Sequence, residues 1–111
     1  MDNITYNDFE KIDIRVGRIT RVEDFPKANN PAYKLWIDFG ELGEKKSSSQ
    51  ITSLYNKNDL IGKLIIAVVN FSPKQIADFV SEVLVLGTVT NGKDVVLIEP
   101  DRNVPLGKRI L

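Results

Sequence analysis

Residues 33–39, Tyr-Lys-Leu-Trp-Ile-Asp-Phe, alternate strictly, and this pattern most narrows what the chain can fold into. Successive side chains of a strand point to opposite faces, so Tyr33, Leu35, Ile37 and Phe39 form one apolar face and Lys34, Trp36 and Asp38 the other. A half-buried strand of this kind needs neighbours, and the chain supplies them as short segments. In residues 12–19 Ile12, Ile14 and Val16 alternate with Asp13 and Arg15 until Gly17 shifts the parity to Ile19, which predicts a bulge or sharp bend. Residues 46–51 are a weaker strand because of three serines, while 64–71 and 82–89 read as strands buried on both faces. Asn91-Gly92 predicts a hairpin that returns into residues 95–98.

Helical signals are few and short. Thr5 and Asp8 resemble a capping pair, and Tyr6 and Phe9 share a face, so a marginal helix opens the chain and must dock on its own barrel or on a partner. Residues 52–61 contain a helical turn or two, closed by Gly62. Ser72, Pro73 and Gln75 stand as N-cap, first position and N3 of a further short helix ending near Phe79. Pro26, Asn29, Asn30 and Pro31 mark 24–32 as a loop. Five short strands with a helix between the third and fourth describe an all-β protein, a five-stranded OB-fold barrel with short helices, an N-terminal helix and a C-terminal extension. A sandwich requires more strands, and a doubly wound fold a helix after each. One domain, residues 7–111, is expected.

Composition narrows the chemistry. The 111 residues include no His and no Cys, which excludes a Ser-His-Asp triad, a cysteine nucleophile, a zinc-thiolate site and disulfides. Asp13, Asp38, Asp59, Asp94 and Asp101 show no metal-ligand spacing, and Gly40-Glu41-Leu42-Gly43-Glu44 lacks the Gly-Lys-Ser/Thr ending of a P-loop. A non-enzymatic protein with no catalytic residue, metal or cofactor is the expectation. Fifteen Lys plus Arg against fifteen Asp plus Glu argue against a strongly basic arm or membrane anchor. The polar start and the shortness of the apolar run 64–69 predict a soluble, cytoplasmic chain without membrane insertion.

Three features could carry binding. Lys45-Lys46-Ser47-Ser48-Ser49-Gln50 suits either a phosphate backbone with unstacked bases or a lysine-protected edge strand. Asn70, Lys74, Ser81 and Glu82 would meet at one rim of the barrel, where they could read exposed base edges and a phosphate, or cap turns. Trp36 points away from the apolar face of its strand and fits a stacking platform, an interface or a barrel corner.

Several stretches, in order, resemble a known family. Residues 9–19, Phe-Glu-Lys-Ile-Asp-Ile-Arg-Val-Gly-Arg-Ile, resemble the opening of the tRNA-binding domain found in free-standing dimeric proteins and appended to some methionyl- and phenylalanyl-tRNA synthetases. Residues 34–40, 48–52, 67–77, 81–87 and 94–100 continue the match in register, most closely to the family's CsaA-type members, described as export-related chaperones. The resemblance implies a homodimer formed through the N-terminal helix and the C-terminal extension, with tRNA and unfolded or export-bound polypeptides as partners. Carried over by position, it implies RNA contacts at Lys34, Ser49, Gln50, Asn70, Lys74, Ser81 and Glu82. Trp36 and Phe71 are the apolar groups through which an unfolded segment would bind. Gln75, Asp78 and Val80 stand where relatives tend to be basic, which implies a weaker salt dependence of RNA binding.

Overall fold

The computed structural model describes residues 1–111. Strand β1 (Ile14–Asp24) is the longest element and the hub of the sheet. Along one edge its first half pairs antiparallel with β4 (Leu64–Val68); along the other it meets β10 (Arg109–Ile110) and then β2 (Tyr33–Asp38). Gly17 permits this crossing: a Cβ there would lie 2.6 Å from Ile37 Cγ2 and 2.7 Å from Phe39 Cε1. The register break falls three residues later, at Thr20, since Ile19 opposes Ile37 and Arg21 opposes Trp36.

β3 (Glu44–Ser49) pairs with β2, and β7 (Leu84–Val85) with β4, giving the antiparallel order β3-β2-β1-β4-β7. The outer members are tied together, because the Lys46 carbonyl accepts the N–H groups of Glu82 (2.8 Å) and Val83 (3.3 Å). This nearly closed barrel is the five-stranded OB fold expected from the strand order. Its single-turn helix α2 (Lys57–Leu60), between β3 and β4, sends Leu60 into the core at 0% exposure. Ile19, Leu35, Ile37, Phe39 and Ile65 complete the dry interior. Two hydroxyls share it: Ser47 and Ser49 point inward, with their Oγ atoms 3.0 Å apart. Each satisfies the other, so Ser47→Ala strands the Ser49 hydroxyl. The single change should cost about 1–2 kcal/mol by urea unfolding. Ser47→Ala/Ser49→Ala should cost clearly less than the sum of the two singles.

The opening helix α1 (Tyr6–Glu10) forms as expected, with Thr5 and Asp8 capping one another at 3.0 and 3.1 Å, yet it buries no residue. Hairpin β8–β9 (Gly87–Val89, Val95–Leu97) turns at Asn91-Gly92, and the Tyr55 hydroxyl accepts the Leu97 N–H. No helix is long and apolar enough to cross a membrane.

Two local expectations are overturned. Residues 82–89 are not one strand buried on both faces: they break at Leu86 into β7 and β8, and Leu84 and Val89 are 49% and 67% exposed. The segment after Ser72-Pro73 is a β-hairpin and not a helix: β5 (Lys74–Ile76) pairs with β6 (Phe79–Ser81) around Ala77-Asp78. Ala77 takes φ 51°, and the Gln75 side-chain amide donates to its carbonyl. A single helical turn is unstable alone, so burial decides the outcome. In the extended form Phe79 reaches the aromatic rings of Phe25 and Trp36. Pro73, with its fixed φ, fits a strand entry as well as a helix start.

Candidate nucleic-acid interface

The outer face of β2 and β3 carries the side chains that alternation excludes from the core. Pairing places Trp36 beside Lys46 and Lys34 beside Ser48, with Gln50 exposed just beyond the end of β3. Two segments stand over this face. Loop 25–32 rises on one side, and hairpin β5–β6 folds across from the other, anchored through Phe79 at 5% exposure. Ser81 Oγ accepts the Ser48 N–H at 3.0 Å, and Glu82 Oε1 accepts the Lys46 N–H at 2.9 Å. With the Glu82 and Val83 N–H groups on the Lys46 carbonyl, these side chains occupy the outer edge of β3.

Two clefts result. One, of about 350 Å³, lies between the loop and the hairpin and is lined by Asn29, Asn30, Ser48, Gln50, Lys74 and Gln75 among others. The other, of about 390 Å³, opens on the far flank of the hairpin against Phe71, Ser72, Ser81, Glu82 and Leu84, and shares Ser48, Gln50 and Lys74 with the first. Lys34, Lys46 and Lys74 form no ion pair. The first cleft is bridged at one end by Lys27 and Asp78, 3.0 Å apart.

The structure therefore brings together Lys34, Gln50, Lys74, Ser81, Glu82 and Phe71, and sets the other expected residues apart. Ser49 is 8% exposed and turned inward onto Ser47, whereas Gln50, just past the end of β3, is exposed. Ser48, beside Gln50 in both clefts, is the serine on the clefted face. Asn70 is engaged at both ends of its amide, accepting from the Asp13 N–H and donating to the Lys11 carbonyl, so it ties the end of β4 to the end of α1. Trp36 lies under the Arg21 guanidinium, 4.3 Å from its ring centroid, with Phe79 at its edge. Asn29, Asn30 and Phe79 carry no binding signal in the sequence, whereas Lys46 belongs to the Lys45–Gln50 run that does.

Asp8 and Asp78 are the carboxyls with resolved shifts, both downward, through the Thr5 N–H for Asp8 and the Lys27 ammonium for Asp78. A general acid at neutral pH needs the opposite shift. For Asp78 the depressed folded value means the Lys27 contact contributes fully above the ordinary value of 3.8 and is lost as pH falls through the lower folded value. Carboxyl-detected NMR should show an Asp78 midpoint below 3.8 that returns to about the ordinary value in Lys27→Gln. An unchanged midpoint in Lys27→Gln would refute the pairing.

This geometry has close counterparts. The family model of the tRNA-binding domain matches residues 14–109. The crystal structure of the chaperone CsaA from Bacillus anthracis is 52% identical with a TM-score of 0.95, covering 99% of this chain and 100% of that one. The CsaA chaperone protein of Picrophilus torridus is 61% identical with a TM-score of 0.91, covering 98% and 100%. Curated relatives include the methionine–tRNA ligase of Nanoarchaeum equitans, 37% identical over 96% of this chain. A second is that of Thermococcus onnurineus, 31% identical over 99%. The chain spans only 13% and 15% of those two ligases. An OB barrel whose β2–β3 face is clefted by a loop and a hairpin, matched along nearly its whole length, places the chain in the tRNA-binding-domain family, in its CsaA branch.

Proposed function

We propose that this chain is a non-enzymatic, homodimeric chaperone of the CsaA type, acting in the cytoplasm on unfolded or export-bound polypeptides and binding tRNA on the clefted β2–β3 face. The observation that carries the tRNA part is the set of Lys34, Lys46 and Lys74, unpaired and clustered beside two clefts lined by hydroxyls and amides. Ammonium groups suit phosphates, and Ser48, Gln50, Asn29 and Asn30 suit the edges and ribose of unpaired nucleotides. A tRNA titration at two salt concentrations tests it: micromolar binding that weakens with salt supports the reading, and no binding at low salt refutes it.

The polypeptide part is supported by Phe71 and Leu84, 57% and 49% exposed at the rim of the larger cleft. Their contribution should appear as suppression of aggregation of a permanently unfolded chain at stoichiometric ratio, lost in Phe71→Ser. The homodimer is supported by Ile4, Tyr6 and Leu111, 72%, 64% and 71% exposed near the uncovered helix α1. Arg109 links the tail to this helix by donating to the Glu10 carbonyl. Light scattering at micromolar concentration should give twice the chain mass. A second reading, a structure-specific tRNA-binding protein acting in trans to aminoacyl-tRNA synthetases, is favoured by the match to a segment of methionine–tRNA ligases. Retained tRNA binding without any effect on aggregation would select it.

A further inference from the structure

Phe79 organises more than the docking of its hairpin. Its buried ring meets Phe25 at 5.5 Å and Trp36 at 5.8 Å, both edge-on. Two ammonium groups stand over the same ring: Lys46 Nζ at 5.1 Å and Lys34 Nζ at 5.4 Å from its centroid, with Lys34 also 5.0 Å from that of Phe25. Neither belongs to an ion pair, although Glu82 is adjacent; its Oε1 is occupied by the Lys46 backbone N–H. The neighbouring cation is different. Lys27 is neutralised by Asp78, the residue next to Phe79.

A ring face attracts an ammonium without neutralising it, so its charge and at least two of its three N–H donors stay available to an anion. It also restrains the flexible lysine stem, so less ordering remains when a ligand arrives. Two like charges held over one ring are not required to bury Phe79, for which the aromatic contacts suffice. Closely spaced negative charges would relieve their repulsion.

We propose that Lys34 and Lys46 form a phosphate-backbone site on the outer face of β2–β3, that Phe79 is its positioning residue, and that Asp78 holds Lys27 in reserve beside it. The ligand class is the phosphodiester backbone of RNA, so the inference rests on the tRNA reading above. An incoming phosphate and Asp78 compete for Lys27, which makes Asp78 a residue that sets affinity.

The test is tRNA affinity across a salt series for the full chain and its Lys34→Ala, Lys46→Ala, Phe79→Leu and Asp78→Asn variants. Each lysine variant should bind about tenfold more weakly, with a salt slope smaller by about 0.7–0.9. Phe79→Leu should bind about fivefold more weakly at an unchanged slope, since the lysines still reach phosphate but are no longer pre-ordered. In the free protein, the ε-methylene protons of Lys34 and Lys46 should be shifted upfield by the ring and should return to ordinary positions in Phe79→Leu. Asp78→Asn should bind about threefold more tightly with a steeper slope, as Lys27 is released. Wild-type affinity in both lysine variants overturns the site and leaves tRNA binding standing. Wild-type affinity in a folded Phe79→Leu overturns the positioning role, and in Asp78→Asn the reserve role. Should Phe79→Leu fail to fold, the lysine variants and Asp78→Asn decide the site. Failure of the wild-type chain to bind tRNA overturns instead the reading beneath it.

Discussion

Leu60→Ala should destabilise the protein by about 2–5 kcal/mol, a large part of the roughly 5–15 kcal/mol that holds a domain of this size together. Leu60 lies in a helix of four residues that could not form alone, and its side chain is fully buried among Ile19, Leu35, Ile37 and Ile65. Removing three carbons leaves a cavity that strands β1 and β2 cannot close, because their register is held by the Gly17 crossing and the Thr20 bulge. The loss should appear as a lower urea midpoint at unchanged m-value. The chain leaves α2 where Gly62 donates to the Ile19 carbonyl at 2.7 Å, so local opening at this end should accompany the loss. A midpoint within error of wild type would mean that α2 is a surface ornament and not part of the barrel core.

The largest functional effect is expected from Lys34→Ala/Lys74→Ala. The two lysines stand on different elements, Lys34 on β2 and Lys74 at the start of β5, and both flank the cleft face without an acidic partner. Each charge-assisted phosphate contact is worth about 1.5 kcal/mol, so tRNA affinity should fall about a hundredfold. The slope of log affinity against log salt should fall by about 1.4–1.8. Both side chains are at least partly exposed, so the folding stability should hardly change. Wild-type affinity in this variant would move the RNA site off the β2–β3 face.

How much of this was legible in the sequence depends on whether the deciding contact was local. Residues 33–39 announced β2 because alternation is a property of neighbours in the chain, and the Thr5–Asp8 and Asn91-Gly92 signals were read correctly for the same reason. The hairpin 74–81 was misread because its local signals are compatible with a helix, while the deciding contact joins Phe79 to Phe25 and Trp36 in distant segments. The serine run failed differently. Ser47, Ser48 and Ser49 are chemically identical, so no pattern within them says which two enter the core. Only pairing with β2, Leu35 to Ser47 and Tyr33 to Ser49, assigns the inward parity and leaves Ser48 on the face. Asn70 was placed near the site by the resemblance, but its amide joins the end of β4 to the end of α1 and stands apart from the clefts.

The central claim is that RNA meets this chain on the β2–β3 face beneath loop 25–32 and hairpin β5–β6. Backbone amide NMR during titration with tRNA measures this directly. Perturbations should concentrate at Asn29, Lys34, Lys46, Ser48, Gln50 and residues 74–82, with α1 and β10 little changed. Perturbations concentrated instead at α1, β10 and the tail, with the β2–β3 face silent, would contradict it.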